Sequence, residues 1–146
     1  MAAHVIDTNV LVAALRSSSG ASRQVLLAAL SGRLEVVVSV PLLLEYESVL
    51  KRPDQLKITR FRTEYRCRLE RPYRGRARSS LRIPVRPIIK DPKDDMVFET
   101  AINSGVGTII TFNVQHFVPA GTRFGIRVVR PIEILRILRR SSHENK

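Results

Sequence analysis

The first clear structural signal in the sequence is the stretch His4-Val5-Ile6-Asp7-Thr8-Asn9-Val10, in which a short apolar run ends at an acidic residue. The run predicts a buried strand, and the residues from Thr8 to Leu15 follow a pattern typical of a helix. Asp7 therefore lies at a strand-to-helix junction, and in open α/β sheets such junctions border the ligand crevice. The alternative is that Asp7 only caps the helix, as aspartates often do.

The alternation of strands and helices continues along the chain. Apolar, β-branched runs predict further strands over residues 34–38, 108–111 and 126–129. Capping residues, prolines and glycines predict further helices over residues 22–30, 39–50, 59–71, 91–104 and 131–140. This order indicates an α/β fold, a three-layer α/β/α sandwich with a central, mostly parallel sheet.

The remaining segments are predicted to be irregular. We expect a loop over residues 113–119 and a partly flexible connection over residues 72–87, which contains several prolines. Neither marks a domain boundary, so residues 1–146 are expected to form a single domain. Residues 141–146 are polar and predict a disordered C-terminal tail.

Basic residues dominate the charge of the chain. Its 146 residues include 25 Lys and Arg against 13 Asp and Glu, which gives a formal net charge of +12. Fourteen of the basic residues lie between Lys51 and Lys90, together with three acids. Charge runs are usually solvated surface, but this density of arginine favours contact with nucleic acid. The arginines expected to bind RNA are Arg66, Arg68, Arg74, Arg76 and Arg78.

Composition also bears on the compartment. The sequence has no apolar run of about 18 residues, so no membrane-spanning helix is predicted. It shows no basic segment followed by a long apolar one, so no secretory signal is predicted. Cys67 is the only cysteine and cannot form an internal disulfide. Together these features favour a reducing, cytoplasmic location.

Carboxylates are concentrated in the stretch Asp91-Pro92-Lys93-Asp94-Asp95-Met96-Val97-Phe98-Glu99. Like charges repel, and a hard divalent cation held by oxygen ligands offsets that repulsion. An acidic cluster in a basic protein therefore suggests a metal-dependent enzyme that acts on a polyanion. Asp91 and Asp94 have an alternative explanation as capping groups of the predicted helix. We therefore favour Asp95 as a metal ligand, with Asp94 and Glu99 as weaker candidates.

A further acid and two polar residues are candidates for the same site. Glu45 shares a predicted helix face with Leu42 and Val49, where an acid is unusual unless it has a partner; the alternative is that it borders the core and reaches water. Asn113 and His116 follow the strand predicted over residues 108–111. An Asn oxygen suits Mg²⁺ better than a His nitrogen does, and His116 is also explained as an ordinary loop residue.

These segments together resemble the PIN-domain family. Its members open with an apolar strand followed by Asp-Thr-Asn, as at Val5–Val10, and carry a Glu in an early helix, as at Ser39–Tyr46. A third acid begins a later helix, as at Asp91–Ala101, and a strand ending in Thr leads to a fourth polar site, as at Ile109–Asn113. The segment Arg123–Pro131 resembles the toxin-annotated bacterial branch.

One position departs from the family pattern. Many relatives carry an Asp near the fourth site, where this chain reads Thr111-Phe112-Asn113-Val114-Gln115-His116-Phe117. His116 therefore replaces an acid.

The resemblance implies a Mg²⁺- or Mn²⁺-dependent ribonuclease that hydrolyses RNA phosphodiester bonds. It also implies the toxin of a type II toxin–antitoxin pair, with a small antitoxin protein as partner and a homodimer as the assembly. The acids that carry over as catalytic metal ligands are Asp7, Glu45 and Asp95, and Asn113 takes the fourth position. Thr8, Asn9 and Thr111 would hold ligands or water in place.

Two other functions remain open at this point. A degenerate PIN domain could bind RNA or a protein without cutting, and the missing fourth acid favours that interpretation. A haloacid dehalogenase-like phosphatase also uses an Asp after its first strand. It needs a second acid two residues later, however, where this chain has Asn9.

Overall fold

The computed structural model of the chain describes residues 3–52 and 89–144. In this part of the chain three strands form one sheet in the order β1 (His4–Ile6), β2 (Thr108–Ile110) and β3 (Arg127–Val129). Both strand pairs are parallel, and the register aligns Ile6 with Ile110 and Ile110 with Val129. The parallel sheet with helices between its strands confirms the predicted α/β fold.

Six helices accompany the sheet in the described residues. They are α1 (Thr8–Arg16), α2 (Ala21–Leu30), α3 (Val40–Leu50), α4 (Pro92–Ser104), α5 (Val114–Phe124) and α6 (Pro131–Glu144). Helix α4 packs on β1 and β2, and α5 packs on β3. Helix α1 contacts α2 and α3, and α2 contacts α6. Because both strand pairs are parallel, the carboxyl ends of the three strands lie at one edge of the sheet.

The core lies between the sheet and these helices. Val5 and Ile109 of the sheet, Phe98 of α4 and Phe117 of α5 are fully buried. Fully burying a side chain of this kind stabilises the fold by about 1.5–3 kcal/mol. The buried residues of α4 define the face of this helix that meets the sheet.

The predicted caps of two helices are confirmed. Ser39 begins α3, and its Oγ accepts a hydrogen bond from the Leu42 N–H at 3.3 Å. Asp91 begins α4, and its Oδ1 accepts from the Lys93 N–H at 2.9 Å. Gly105 ends α4 in the left-handed region with φ of 65°, which glycine adopts without strain.

The strand predicted over residues 34–38 is reduced to a single parallel bridge between His4 and Val36. His4 donates its N–H to the Glu35 carbonyl at 3.0 Å and accepts from Val37 at 2.8 Å. The segment thus pairs with the edge of β1 over one repeat of the ladder before Ser39 starts the next helix. Its β-branched composition correctly indicated pairing with the sheet, but the paired segment is shorter than the predicted strand.

The loop predicted over residues 113–119 is wrong, because α5 occupies Val114–Phe124. Pro119 suggested a break, since an internal proline removes a helical hydrogen bond. Phe117, Ala120 and Gly121 are buried at the spacing of one helix face, and that burial outweighs the lost bond.

Two further predictions concern the ends of the described ranges. Helix α6 continues to Glu144, four residues past the predicted end, so the polar segment predicted as a tail begins inside a helix. The helix predicted over 59–71 and the connection over 72–87 lie outside the described residues. Every helix in the described residues is too short or too polar to cross a bilayer.

Candidate active site

Asp7 and Thr111 meet at the carboxyl edge of the sheet. Asp7 follows β1 and donates its N–H to the Ile110 carbonyl at 2.9 Å, while Thr111 follows β2 and donates to Val129 at 2.9 Å. The sheet ladder thus continues one residue past the strands and fixes both backbones. Thr111 Oγ1 donates to Asp7 Oδ2 at 2.7 Å, and both side chains are buried. The role of Thr111 in supporting a metal ligand stays a prediction.

A second buried carboxylate, Asp94, lies near Asp7. The pKa of Asp7 is raised from 3.8 to about 6, first because burial penalises its charged form. The Thr111 hydrogen bond lowers the pKa, the negative charge of Asp94 raises it, and the backbone N–H groups of Thr8 and Asn9 lower it. Asp7 and Asp94, the acidic pair, are thus close enough for one charge to disfavour the other.

Asp94 comes from the first turn of α4 and His116 from the first turn of α5. His116 Nδ1 lies 2.9 Å from Asp94 Oδ2. Asp94 is almost fully enclosed, with a side chain 7% exposed, whereas the imidazole of His116 is 55% exposed. His116 is therefore a helix residue in contact with the acidic pair rather than an ordinary loop residue.

Glu45 projects from α3 and is mostly enclosed. Its Oε1 lies 3.5 Å from Lys93 Nζ, an ion pair by distance. The same oxygen is buried and has no hydrogen-bond partner. The two observations are consistent because the Lys93 ammonium lies near the oxygen but is not oriented to donate a hydrogen bond. The Lys93–Glu45 ion pair is therefore held by electrostatic attraction only.

Contacts around Glu45 fix α3 to the rest of the fold. The Tyr46 hydroxyl donates to the Ile6 carbonyl in β1. At the start of the helix, Ser39 Oγ and Thr100 Oγ1 of α4 share a hydrogen bond of 2.7 Å. Glu45 is therefore carried by a helix that is attached to both β1 and α4.

The structure places Asp95 differently from Asp94. Asp95 Oδ1 accepts a hydrogen bond from the Ile89 N–H at 3.1 Å, so this carboxylate is engaged with the chain that leads into α4. Asp94 does not serve as the predicted cap, since its side chain contacts His116 instead. Glu99 is half-buried one turn beyond Asp95.

The other predicted site residues lie around the same edge. Asn113 begins α5 without a side-chain cap bond, is exposed, and donates its N–H to Thr111 Oγ1 at 3.0 Å. Asn9 is half-buried, and its Oδ1 is enclosed without a hydrogen-bond partner. Thr8 is half-buried at the start of α1. The five predicted RNA-binding arginines, residues 66, 68, 74, 76 and 78, lie outside the described residues.

A basic residue that sequence analysis did not single out lies at this edge. Arg130 directly follows β3, as Thr111 follows β2 and Asp7 follows β1. Its N–H donates to Glu133 Oε2 at 2.6 Å, which fixes its backbone at the start of α6, and its side chain is exposed. Neighbouring strands lie about 4.8 Å apart, so Arg130 is two strands from Asp7.

The donor atoms fit a hard divalent cation in their chemistry. Two buried carboxylates repel each other, and two enclosed oxygens, Asn9 Oδ1 and Glu45 Oε1, lack hydrogen bonds; oxygen donors of this type are the ligands of Mg²⁺ and Mn²⁺. Across residues 3–52 and 89–144, no group of three or more His, Cys, Asp or Glu side chains is arranged to hold a metal ion. The two carboxylates of Asp7 and Asp94 and the Asn9 amide oxygen form a smaller set of oxygen donors.

The position of Asp94 could have been found from the sequence. Asp94 is three, four and seven residues before Val97, Phe98 and Ala101, all of which are buried. That spacing marks one helix face, and Asp94 lies on the face that meets the sheet, whereas Asp95 does not. Asp95 is favoured as the metal ligand from capping rules, because Asp94 is also explained as a capping group. The spacing of the apolar residues in α4 instead favours Asp94 as the acid that faces the sheet.

The family model described as PIN domain matches residues 3–115, which is most of the chain. No curated protein matches the sequence. PIN domains are generally metal-dependent nucleases, so the match indicates a nuclease-type function with nucleic acid as the partner.

Proposed function

Because the chain belongs to the PIN-domain family, we propose that it is a metal-dependent ribonuclease that hydrolyses phosphodiester bonds of RNA. The observation that carries this proposal is the buried acidic pair at the carboxyl edge of the sheet. Burying two interacting carboxylates is unfavourable unless a cation offsets their charge. A site that binds a cation beside an open sheet edge accounts for this placement.

We propose Asp7 and Asp94 as metal ligands and catalytic acids, with Asn9 or Asn113 as a neutral oxygen donor. We propose Glu45 as a third ligand that joins the set only when the metal binds, since no three such side chains are arranged for a metal in the described residues. Asp94 takes the place that the resemblance gave to Asp95, since Asp94 interacts with Asp7 while Asp95 accepts from Ile89. A bound Mg²⁺ or Mn²⁺ would supply Lewis acidity and charge neutralisation for in-line attack of water on the phosphodiester.

The surrounding residues would orient these acids. The Thr111 hydroxyl donates to Oδ2 of Asp7, and the backbone N–H groups of Thr8 and Asn9 also stabilise the charge of this carboxylate, so three donor groups lie beside Asp7. His116 holds Oδ2 of Asp94 in the same way from the opposite helix. Partners that fix ligand carboxylates in this manner typically affect metal affinity by about 10- to 100-fold.

RNA would approach over the basic surface of the chain. Arg130 is exposed at the same sheet edge and is available for a phosphate. The arginines at positions 66, 68, 74, 76 and 78 would follow the backbone without reading its sequence. The resemblance supports three further proposals: that the chain acts in the cytoplasm as a toxin, that it pairs with a small antitoxin, and that it forms a homodimer.

Cleavage of a fluorescent RNA with Mn²⁺ or Mg²⁺, and with EDTA, tests the nuclease proposal. We expect cleavage with metal and none with EDTA. RNA binding without cleavage under either condition would favour a PIN domain that only binds RNA. One observation supports that alternative: the acids already have protein partners, which are Thr111 for Asp7, His116 for Asp94 and Lys93 for Glu45. Turnover of p-nitrophenyl phosphate without RNA cleavage would favour a phosphatase instead.

The toxin assignment has a separate test. Expressing the chain alone should arrest growth, and co-expressing a small protein encoded directly upstream should relieve the arrest. Growth unaffected by an active ribonuclease would contradict the toxin role and leave the nuclease proposal standing.

A further inference from the structure

Lys93 is the one basic residue of the acidic stretch, and it faces Glu45 from another helix. Its Nζ lies 3.5 Å from Glu45 Oε1, and its side chain is 58% exposed against 18% for Glu45. The pair therefore combines an enclosed carboxylate with a cation that remains in contact with water. Glu45 Oε1 makes no hydrogen bond, so the ammonium is held by charge alone.

The position of Lys93 in its helix is unfavourable without such a partner. It lies in the first turn of α4, directly after Pro92. Helix N-termini carry a partial positive charge and favour acids rather than lysines. The Lys93 N–H is already bound to Asp91 Oδ1, so the backbone of this turn is fixed. Glu45 is the acid that the Lys93 ammonium contacts within ion-pair distance in the described residues.

We propose that Lys93 is a built-in competitor of the divalent metal for Glu45. This inference rests on the proposed function, in which Glu45 is a metal ligand. An ammonium and a divalent cation repel each other and cannot both neutralise the same oxygen. Metal binding at Glu45 Oε1 therefore requires the Lys93 ammonium to move away, and its exposed, flexible stem allows it to move into water.

The proposal has a specific consequence for metal affinity. The metal must displace the ammonium before it gains the full attraction of Glu45. Removing the charge of Lys93 should therefore tighten metal binding. Ion pairs that are this exposed are individually weak, so we expect a gain of roughly two- to fivefold.

The chain offers a matched control. Lys51 Nζ pairs with Glu47 Oε1 at 2.9 Å, and its side chain is 55% exposed. Glu47 lies on α3, as Glu45 does, but is outside the acidic site. Lys93→Met and Lys51→Met therefore remove the same charge from two lysine–glutamate pairs, and only the first pair involves a proposed ligand.

Isothermal titration of Mn²⁺ into the full chain, without RNA, tests the proposal. Lys93→Met and Lys93→Gln should both bind Mn²⁺ roughly two- to fivefold more tightly than the wild type, and Lys51→Met should match the wild type. The gain from Lys93→Met should disappear in a Glu45→Gln background. Circular dichroism and thermal unfolding in EDTA verify that each variant is folded.

The outcomes separate this inference from the proposed function. If the wild type binds Mn²⁺ and both Lys93 variants bind with the same affinity, the competitor is ruled out and the nuclease proposal stands. Equal gains in Lys93→Met and Lys51→Met would reduce the effect to net charge and also overturn it. If neither the wild type nor the Lys93 variants bind Mn²⁺, both proposals fail. Binding by the Lys93 variants alone would support a strong competitor.

Discussion

His116 Nδ1 lies 2.9 Å from Asp94 Oδ2, so the residue that replaces a family acid is in direct contact with the acidic pair. The contact joins the first turns of α4 and α5. An exposed imidazole therefore fixes an enclosed carboxylate from outside. The substitution changes the charge of the site while keeping a polar partner for Asp94.

Exchanging this histidine for the acid that many relatives carry should change metal binding. His116→Asp removes a partner of Asp94 and adds a negative charge beside it. We expect tighter Mn²⁺ binding, faster RNA cleavage and a metal-free protein that is less stable by about 1–3 kcal/mol. Titration calorimetry, a fluorescent-RNA assay and thermal unfolding in EDTA measure the three effects. His116→Asn, which keeps an amide donor, serves as control. Equal affinity, rate and stability in His116→Asp and the wild type would place His116 outside the metal site.

The raised pKa of Asp7 predicts a specific dependence of stability on pH. The pKa is 3.8 in the unfolded chain and about 6 in the folded one, so the folded state binds the proton more tightly. The fold gains relative stability as the pH falls from about 6 toward 3.8. Above that range the buried charge costs roughly 3 kcal/mol.

Asp7→Asn removes this ionisation and leaves an oxygen that can accept from Thr111. In EDTA we expect the variant to be more stable than the wild type at about pH 7.5, with the difference vanishing near about pH 4. Asp91→Asn, at an exposed carboxylate, is the control and should show no such trend. Denaturant unfolding across this pH range measures both. A constant difference between Asp7→Asn and the wild type would show that Asp7 ionisation does not oppose folding.

Gly121 brings α5 close to β3, and this contact should not tolerate a methyl group. A Cβ there would lie 2.7 Å from the Ile126 carbonyl oxygen and 3.0 Å from Val128 Cγ2. Gly121→Ala should destabilise the fold by about 1–3 kcal/mol, although helix propensity alone predicts a gain of about 1 kcal/mol. Gly107→Ala, with no heavy atom within 4 Å of its Cβ, is the control and should be near neutral. Stabilisation by Gly121→Ala, measured by urea unfolding, would contradict this packing.

Two arginines at opposite ends of β3 test where RNA binds. Arg130 follows the strand at the edge of the acidic site, whereas Arg127 pairs in register with Thr108 at the other end. Arg130→Ala should weaken RNA binding in EDTA and reduce the slope of log K against log salt by about 0.7. Arg127→Ala removes the same charge and should have a smaller effect. Fluorescence anisotropy at several salt concentrations measures both, and equal effects would mean that RNA does not bind at this edge.

The sequence was sufficient for the fold class and for the positions of Asp7 and Thr111 at the ends of neighbouring strands. The apolar runs before Asp7 and Thr111 predicted strands, and the caps Ser39 and Asp91 predicted helix starts, because both signals are local. The helix through Pro119 was missed because burial of Phe117 is a tertiary effect. The contact between Lys93 and Glu45 joins residues 48 positions apart, and no local pattern specifies such a pair.

The choice between Asp94 and Asp95 also depends on a tertiary contact, although the two residues are neighbours in one helix turn. Both are acids near the start of α4, and capping rules alone favour Asp95 as the ligand. Which of the two carboxylates faces the sheet, and therefore Asp7, depends on the helix face that Val97 and Phe98 bury. The hydrophobic period contains that information, but it needs the position of β1 to be interpreted.

The most direct test of the account is the rate of Mn²⁺-dependent RNA cleavage by Asp94→Asn and Asp95→Asn, compared with the wild type. The two variants make the same chemical change at neighbouring residues. Asp94→Asn should lower the rate by more than about a hundredfold, since even residues that only orient ligands contribute about 10- to 100-fold. Asp95→Asn should keep most of the rate, because an amide oxygen still accepts from the Ile89 N–H. Full activity in Asp94→Asn, or loss of activity in Asp95→Asn alone, would contradict the assignment of the acidic pair as the catalytic site.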